Sequence, residues 1–254
     1  MARSILFKIL WGALAVIVAL ALLAGWMFLQ LPHMSKVPRL EPAPGVVGVQ
    51  TGGSYVWVIR TAHGATLIDA GMDAQGKAIL QELDREHLNS ANVSNIFVTH
   101  GHRDHIGALA DFPDATIWVG PGDGELIHGQ RESKAFMPRM AAKHSPPAPP
   151  VGTLDDLANL DKVNFDGEEM WIIHTPGHTP GSTMYLYKNI LFTGDSLFTD
   201  KDGLKYPPGF ICDDPAANRA SIPQLKNLSF DIIADGHTGF TSNAHDKLVQ
   251  FLAK

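Results

Sequence analysis

Cysteine is almost absent from this chain: Cys212 stands alone among 254 residues. A single thiol excludes an intramolecular disulfide and any zinc site built from several cysteines, and it says little about redox compartment. Cys212 is read as a small, partly buried hydrophobe. Runs of basic residues are missing as well. Lys and Arg number 20 against 26 Asp and Glu, for a net charge of -6 at pH 7. A nucleic-acid surface needs clustered cations, so nucleic acid is not expected as a partner. No internal repeat is visible, and the 45% hydrophobic content is that of a globular protein with a sizeable core.

Charge is missing altogether from "ILWGALAVIVALALLAGWMFL", Ile9 to Leu29. At roughly 1.5 Å per residue this run reaches across a hydrocarbon core of about 30 Å. It predicts a transmembrane signal-anchor helix over residues 9–29 behind a cytoplasmic stub, residues 1–8. A cleaved signal peptide carries a shorter apolar region, about 7 to 15 residues. Arg3 and Lys8 precede the run and favour an N-in orientation. The body of the protein is then expected outside the cytoplasm, in the periplasm if the source is bacterial. Residues 30–44 are rich in proline and read as a stiff linker, and residues 45–254 as the folded domain.

Within that domain "SYVWVIR" (Ser54–Arg60) and "ATLIDAG" (Ala65–Gly71) predict a hairpin turning at His63 and Gly64. "AQGKAILQELDREHL" repeats its apolar residues at helical spacing, and the strand "NIFVTH" follows. A helix start is read over Asp104–Ala110, a strand over "ATIWVG" and a short helix over "GDGELIHG". Residues 130–160 lack periodicity and read as a long surface excursion, the kind of loop that often forms a lid. Strands "EMWIIH", "STMYLY" and "NILFTGDSLF", a helix weakened at Pro223, the strand "FDIIADGH" and a closing helix complete the chain. Strand clusters with helices interposed imply packed sheets covered by helices, a layered α/β architecture.

What is abundant is histidine, 12 residues, and its placement is uneven. His100, His102, Asp104 and His105 follow the strand "IFVT"; His178 follows "WIIHTPG"; Asp195 follows "LFTG"; His237 follows "IIADG". Each lies beside glycine at a strand end, where a rigid scaffold positions catalytic groups. In an extended segment alternate residues share a face, so His100 and His102 suit one metal ion. Asp104 and His105, where the chain turns into a helix, suit a second. His178 then completes the first site, His237 the second, and Asp195, with two carboxylate oxygens, bridges both. Imidazole with a minority of carboxylate favours two zinc ions, with iron and manganese as the alternatives. His174 is read as structural, Asp235 as a turn residue, Tyr206 as aromatic packing, and His63, His87, His128, His144 and His245 as solvated. Met137 and Met140 are a lid edge or simple packing.

The stretch "THGHRDH", with "IDAG", "TPGHTPGS", "TGDSLF" and "DGHTG" in the same order, resembles the metallo-β-lactamase fold superfamily from about Gly45 to Lys254. The resemblance implies a four-layer αββα sandwich with a dinuclear metal site at one edge. His100, His102 and His178 would bind one ion, Asp104, His105 and His237 the other, and Asp195 would bridge. Asp69 matches an aspartate that orients a metal-bound imidazole through its free N–H. The implied reaction is hydrolysis: two divalent ions acidify a shared water to a bridging hydroxide, and an exposed metal face polarises the substrate. Asp104 is the catalytic candidate for carrying a proton to the leaving group.

Within that family, glyoxalase II-type thioester hydrolases append a helical region after the last histidine, whereas 17 residues follow His237 here. This weighs against a glutathione thioester. Members that are true β-lactamases generally lack an aspartate at the bridging position, so Asp195 weighs against that role. The expected substrate is a small molecule: an ester, lactone or thioester carbonyl. A mononuclear iron sulfur oxygenase and a non-catalytic, membrane-tethered metal-binding protein are the alternatives.

Overall fold

The alternation in SYVWVIR decides where the layers fall. In the structure, a computed structural model describing residues 2–144, 154–157, 161–201 and 203–254, Ser54–Arg60 is a strand. Its Tyr55, Trp57 and Ile59 are buried in one apolar cluster, and Val56 and Val58 in another. Successive strand residues point to opposite faces. A strand apolar on both faces therefore needs cover on both.

The chain forms two units, a first ending at Leu31 and a second running Pro32–Lys254. The first is helix α1 (Ala2–Gln30), of which Phe7–Gln30 is long and apolar enough to cross a membrane. In the second unit, one sheet orders β1 (Arg39–Ala43), β2 (Val46–Thr51), β3 (Ser54–Arg60), β4 (Ala65–Ile68), β5 (Val93–Val98), β6 (Thr116–Val119) and β7 (Leu154–Asp156) side by side. The strands of the other sheet are β8 (Lys162–Phe165), β9 (Glu168–His174), β10 (Thr183–Tyr187) and β11 (Ile190–Gly194), which continue into a separate hairpin of β12 (Phe198–Asp200) and β13 (Gly203–Lys205). Its order is completed by β14 (Ile232–Asp235), which lies beside β11, and β15 (Phe240–Thr241). The helices of the unit are α2 (Lys77–Arg85), α3 (Arg103–Ile106), α4 (Gly124–Ile127), α5 (Phe136–His144), α6 (Pro215–Ser221) and α7 (Ala244–Leu252).

Three apolar clusters fix the layering. Between the sheets, Tyr55, Trp57, Ile68 and Phe97 meet Phe165, Met170, Tyr185 and Phe192. Outside the first sheet Val56, Leu67 and Ile96 pack with Ile79 and Leu83 of α2. Outside the second, Met184, Leu191 and Ile233 pack with Leu225, Ala244 and Leu248. Helix, sheet, sheet, helix is the αββα order expected from the sequence. The site follows from strand direction. Strands β4, β5 and β6 run parallel, as do β11 and β14, and two antiparallel steps give β9 the direction of β11. Their carboxyl ends therefore deliver Asp69, His100, His178, Asp195 and His237 in loops that leave matching ends of the strands.

Some boundaries differ from the sequence reading. The stretch read as a linker, residues 30–44, contains β1, and its Ser35 N–H donates to the His237 carbonyl at 3.0 Å. Tyr55 Oη also donates to the Val37 carbonyl at 2.5 Å. Proline stiffened this stretch, but on an edge strand it costs no ladder bond. The helix expected over Asp104–Ala110 is only α3, followed by a 3-10 turn at Leu109–Asp111. The weak point at Pro223 is a real break: α6 stops at Ser221 and continues as a 3-10 segment over Ile222–Asn227. The excursion holds α5, whose FMPRMAAKH has few large apolar residues and a proline at Pro138, and β7, whose three residues are too short for periodicity to reveal. Residues 145–153 and 158–160 of it lie outside the described residues.

Phe97 is fully buried and packs against Trp118, Phe165 and Tyr185 with ring centroids 6.2, 5.8 and 5.3 Å away. Phe97→Ala is expected to cost about 3–5 kcal/mol, read as a lower urea midpoint at unchanged slope; a loss under about 1 kcal/mol would remove the inter-sheet cluster as the main store of stability.

Candidate metal centre

His100 lies two residues beyond the end of β5 and His102 immediately precedes α3, so the turn through Gly101 throws both imidazoles to one side. Their ring centroids are 4.7 Å apart, and each lies close to His178, at 4.6 and 4.7 Å. Ligand atoms of His100, His102 and His178 fall within 4.8 Å of one another; so do those of Asp104, His105 and His237, and those of His100, His105 and Asp195. Asp195 lies between the two groups. Its Oδ1 is 3.4 Å from His105 Nε2, and its Oδ2 is 3.7 Å from His178 Nε2 and 3.1 Å from His237 Nε2. All seven residues picked from the sequence thus come together. Asp104 is the exception in exposure, 29% at its side chain, while the other six are buried. Its Oδ2 is 3.3 Å from His237 Nε2 and 3.7 Å from His105 Nε2.

His100, His105, His178 and His237 each have a partner at Nδ1, whereas His102 Nδ1 lies 2.9 Å from His178 Nε2. His105 Nδ1 lies 2.7 Å from Asp69 Oδ2, whose carboxylate also accepts from the Thr99 N–H at 2.7 Å and the Thr99 hydroxyl at 2.8 Å. Asp69 holds a left-handed backbone, φ 65°, a conformation that costs a non-glycine residue free energy and clusters at functional sites. His100 Nδ1 is 3.0 Å from Thr99 Oγ1, and His237 Nδ1 is 2.8 Å from the Gly53 carbonyl. His178 Nδ1 is 3.7 Å from Cys212 Sγ. Such partners fix tautomer and ring orientation. Glycines let the loops close: a Cβ at Gly236 would come within 2.5 Å of Asp195 Oδ1 and 2.8 Å of His105 Cε1.

Electrostatics divides the histidines. Burial, with the neighbouring imidazole of His102, pushes His178 down to about 3. Burial and then His105 hold His100 well below the usual histidine range. His105 also suffers burial, but Asp69, Asp104 and Asp195 outweigh it and raise it to about 9. In the same way, Asp195 and Asp104 raise His237 against its burial. Asp195 is buried too, yet His237 and His105 lower it to about 2. His100 and His178 are therefore neutral near pH 7.

The Nε2 atoms of His100, His102 and His105 and Asp195 Oδ1 are buried and have no hydrogen-bond partner. Each such orphan costs about 1–3 kcal/mol. His105 Nε2 and Asp195 Oδ1 face each other at 3.4 Å, and His102 turns its Nδ1 to His178 Nε2 at 2.9 Å, a crowding of donor atoms that fits a site shaped for cations. Nitrogen-rich donors with two carboxylates suit zinc.

The other sequence assignments are mixed. His174 is structural, between Thr183 Oγ1 at 3.3 Å and the Leu157 carbonyl at 3.2 Å. Tyr206 packs on Phe251 and under the Arg219 guanidinium. Asp235 is more than a turn residue: fully buried, it accepts from the N–H groups of His237, Thr238 and Thr199 at 2.8, 2.6 and 2.8 Å. Cys212 is buried beside His178 rather than in plain packing. Asp123 was not singled out at all. It is buried and contacts the loops of His100, His102 and His178, and one acidic residue in a Gly-Asp-Gly turn carries no signal of that.

The model of the family described as Metallo-beta-lactamase superfamily matches residues 49–237, and the chain belongs to that superfamily. Its relatives are metallo-hydrolases, which makes it a metal-dependent hydrolase by class. The probable metallo-hydrolase YflN of Bacillus subtilis (strain 168) is 28% identical over 240 residues, covering 83% of this chain and 90% of its own length. Hydroxyacylglutathione hydrolase GloC of Haemophilus influenzae is 29% identical over 213 residues, 80% of this chain and 92% of its own. The hydroxyacylglutathione hydrolase of Aeromonas salmonicida is 32% identical over 185 residues, 71% of this chain but 59% of that protein. Among solved structures, the Rm3 metallo-beta-lactamase shares the fold at TM-score 0.66 and 18% identity, covering 85% of this chain and 91% of that one. A metallo-beta-lactamase family protein of Thermus thermophilus shares it at 0.62 and 20%, covering 84% and 80%.

The shifts fix a pH profile for the chelator-treated protein. His178 takes its proton near 6.5 when unfolded and near 3 when folded, so it removes stability as pH falls from 6.5 towards 3. His105, raised to about 9, adds stability that is complete below 6.5 and is lost as pH rises to 9. Thermal midpoints without metal should peak around pH 6.5 and fall on both sides. Zinc should widen the gap to the metal-free curve as pH rises, because protons cease to compete for the ligands. A flat metal-free profile would contradict this charge arrangement.

Proposed function

We propose that this chain is a dinuclear hydrolase of small thioester, ester or lactone carbonyls. The observation that carries the reading is the convergence of ligand atoms in three overlapping groups, with buried, partnerless atoms on His100, His105 and Asp195. His100, His102 and His178 would hold one zinc ion and Asp104, His105 and His237 the other, with Asp195 across both. Two such ions would supply a Lewis acid for the substrate oxygen and an acidified water as nucleophile near neutral pH.

The chain's own groups account for the rest. Asp104, the one ligand with substantial exposure, stands where solvent and substrate meet the centre, and its free oxygen takes a proton from water and passes it to the leaving group. Asp69 holds His105 in one tautomer by accepting from Nδ1, which leaves Nε2 for a metal. The length argument against a glutathione thioester loses its force beside GloC, which aligns over 92% of its own length. Thioesters therefore stand first in a substrate screen. Residues 9–29 are proposed as the membrane anchor and residues 45–254 as the catalytic domain, placed outside the cytoplasm by Arg3 and Lys8.

Untagged protein purified without added metal should contain about two zinc ions per chain by plasma mass spectrometry. Asp195→Ala should lose at least one of them and at least about a hundred-fold in turnover. One iron per chain together with oxygen-dependent turnover would replace the hydrolase reading by a sulfur oxygenase. Full activity in the variant would end the bridging assignment.

A further inference from the structure

Asp123 lies in the turn between β6 and α4, outside every motif read from the sequence, and is 1% exposed. Its carboxylate gathers three donors. Oδ2 accepts from the Gly101 N–H at 2.7 Å and from the Thr179 hydroxyl at 2.6 Å, and Oδ1 accepts from the Gly181 N–H at 2.8 Å. Gly101 separates His100 from His102, Thr179 follows His178, and Gly181 closes that same loop. One side chain therefore grips both loops that carry the three-imidazole group. The fit is tight: a Cβ at Gly181 would lie 2.7 Å from Asp123 Cγ, and one at Gly101 3.2 Å from the Asp123 carbonyl oxygen. Arg131 Nη2, 3.8 Å from Oδ1, is the nearest cation.

The donor set also explains why a carboxylate stands here. Backbone N–H groups cannot accept, so whichever way an amide is turned, its NH2 faces the N–H of Gly101 or of Gly181. Only a group that accepts at both oxygens satisfies both loops. Asp69 serves His105 directly and Asp235 caps the His237 turn, but neither touches the loop of His178 among the contacts described above.

Resting on the dinuclear reading, we propose that Asp123 is a positioning residue for the His100, His102 and His178 site, setting the distance between its two loops and thereby the affinity of that site alone. It does not touch the reacting atoms. Its removal should weaken one metal and leave the Asp104, His105 and His237 group intact.

The test uses the full chain in detergent, titrated with Co(II) against a competing chelator and followed by visible absorption, in wild type and Asp123→Asn. One of the two affinities should fall about 10–100-fold, with the other unchanged. The thermal midpoint of the chelated protein separates this from general damage, since a purely structural role lowers that midpoint and weakens both sites together. Should Asp123→Asn fail to fold, Thr179→Val removes one donor while keeping shape and carboxylate, and should weaken the same site by less. Both affinities unchanged, or both reduced alike, would overturn the proposal. Wild-type uptake of one ion in the same titration would defeat the dinuclear reading instead; Asp123 would then stand only if the variant weakened that ion.

Discussion

Everything at the edge of this sandwich depends on one buried carboxylate meeting imidazoles from two sheets. Asp195 follows β11 of one sheet, while His105 follows β5 of the other, and their side chains approach to 3.4 Å with almost no access to water. A charge so placed must be compensated or it would destabilise the fold by several kcal/mol. His237 and His178 supply more partners on Oδ2. The loops cannot drift apart without stranding one of these groups, and they already lie so close that a Cβ at position 236 would meet both Asp195 and His105.

That constraint is matched by the polar framework around the clustered histidines. Buried donors and acceptors in a low-dielectric interior are costly unless paired. Here three buried aspartates each collect backbone N–H groups and hydroxyls: Asp69 from Thr99, Asp123 from Gly101, Thr179 and Gly181, Asp235 from Thr199, His237 and Thr238. Ordering these loops beforehand lowers the entropy a cation would otherwise have to offset on binding. The rings of His100, His105 and His237 are held at Nδ1, which fixes their orientation and leaves Nε2 turned away from that partner.

The clustered histidines and aspartates were legible because polar groups at strand ends sit beside apolar runs and glycines, a local pattern that needs no fold to be seen. His100, His102, Asp104, His105, His178, Asp195 and His237 all stood out this way, as did the apolar helix ahead of the domain. The early end of α3 and the three-residue β7 were not legible, since such short stretches fall below the periods that would identify them. The linker was misjudged for a related reason. Proline at Pro38 and Pro42 reads as stiffness, yet Arg39–Ala43 pairs with β2 on the sheet edge, where a missing N–H goes unnoticed.

By itself the sequence determined the donor set, their order along the chain and the hydrophobic alternation from which two covered sheets follow. These are properties of each residue and its near neighbours. Tertiary structure decided which donors meet, which ring nitrogen is left free, and that Asp123, Asp235 and Cys212 stand behind the ligand loops. Those outcomes rest on contacts between residues as far apart as Trp57 and Asp235, where the indole N–H donates to a carbonyl at 3.1 Å. Such pairings depend on strand direction and on burial. A polar side chain looks the same in the sequence whether water or another loop will satisfy it, and only packing settles which.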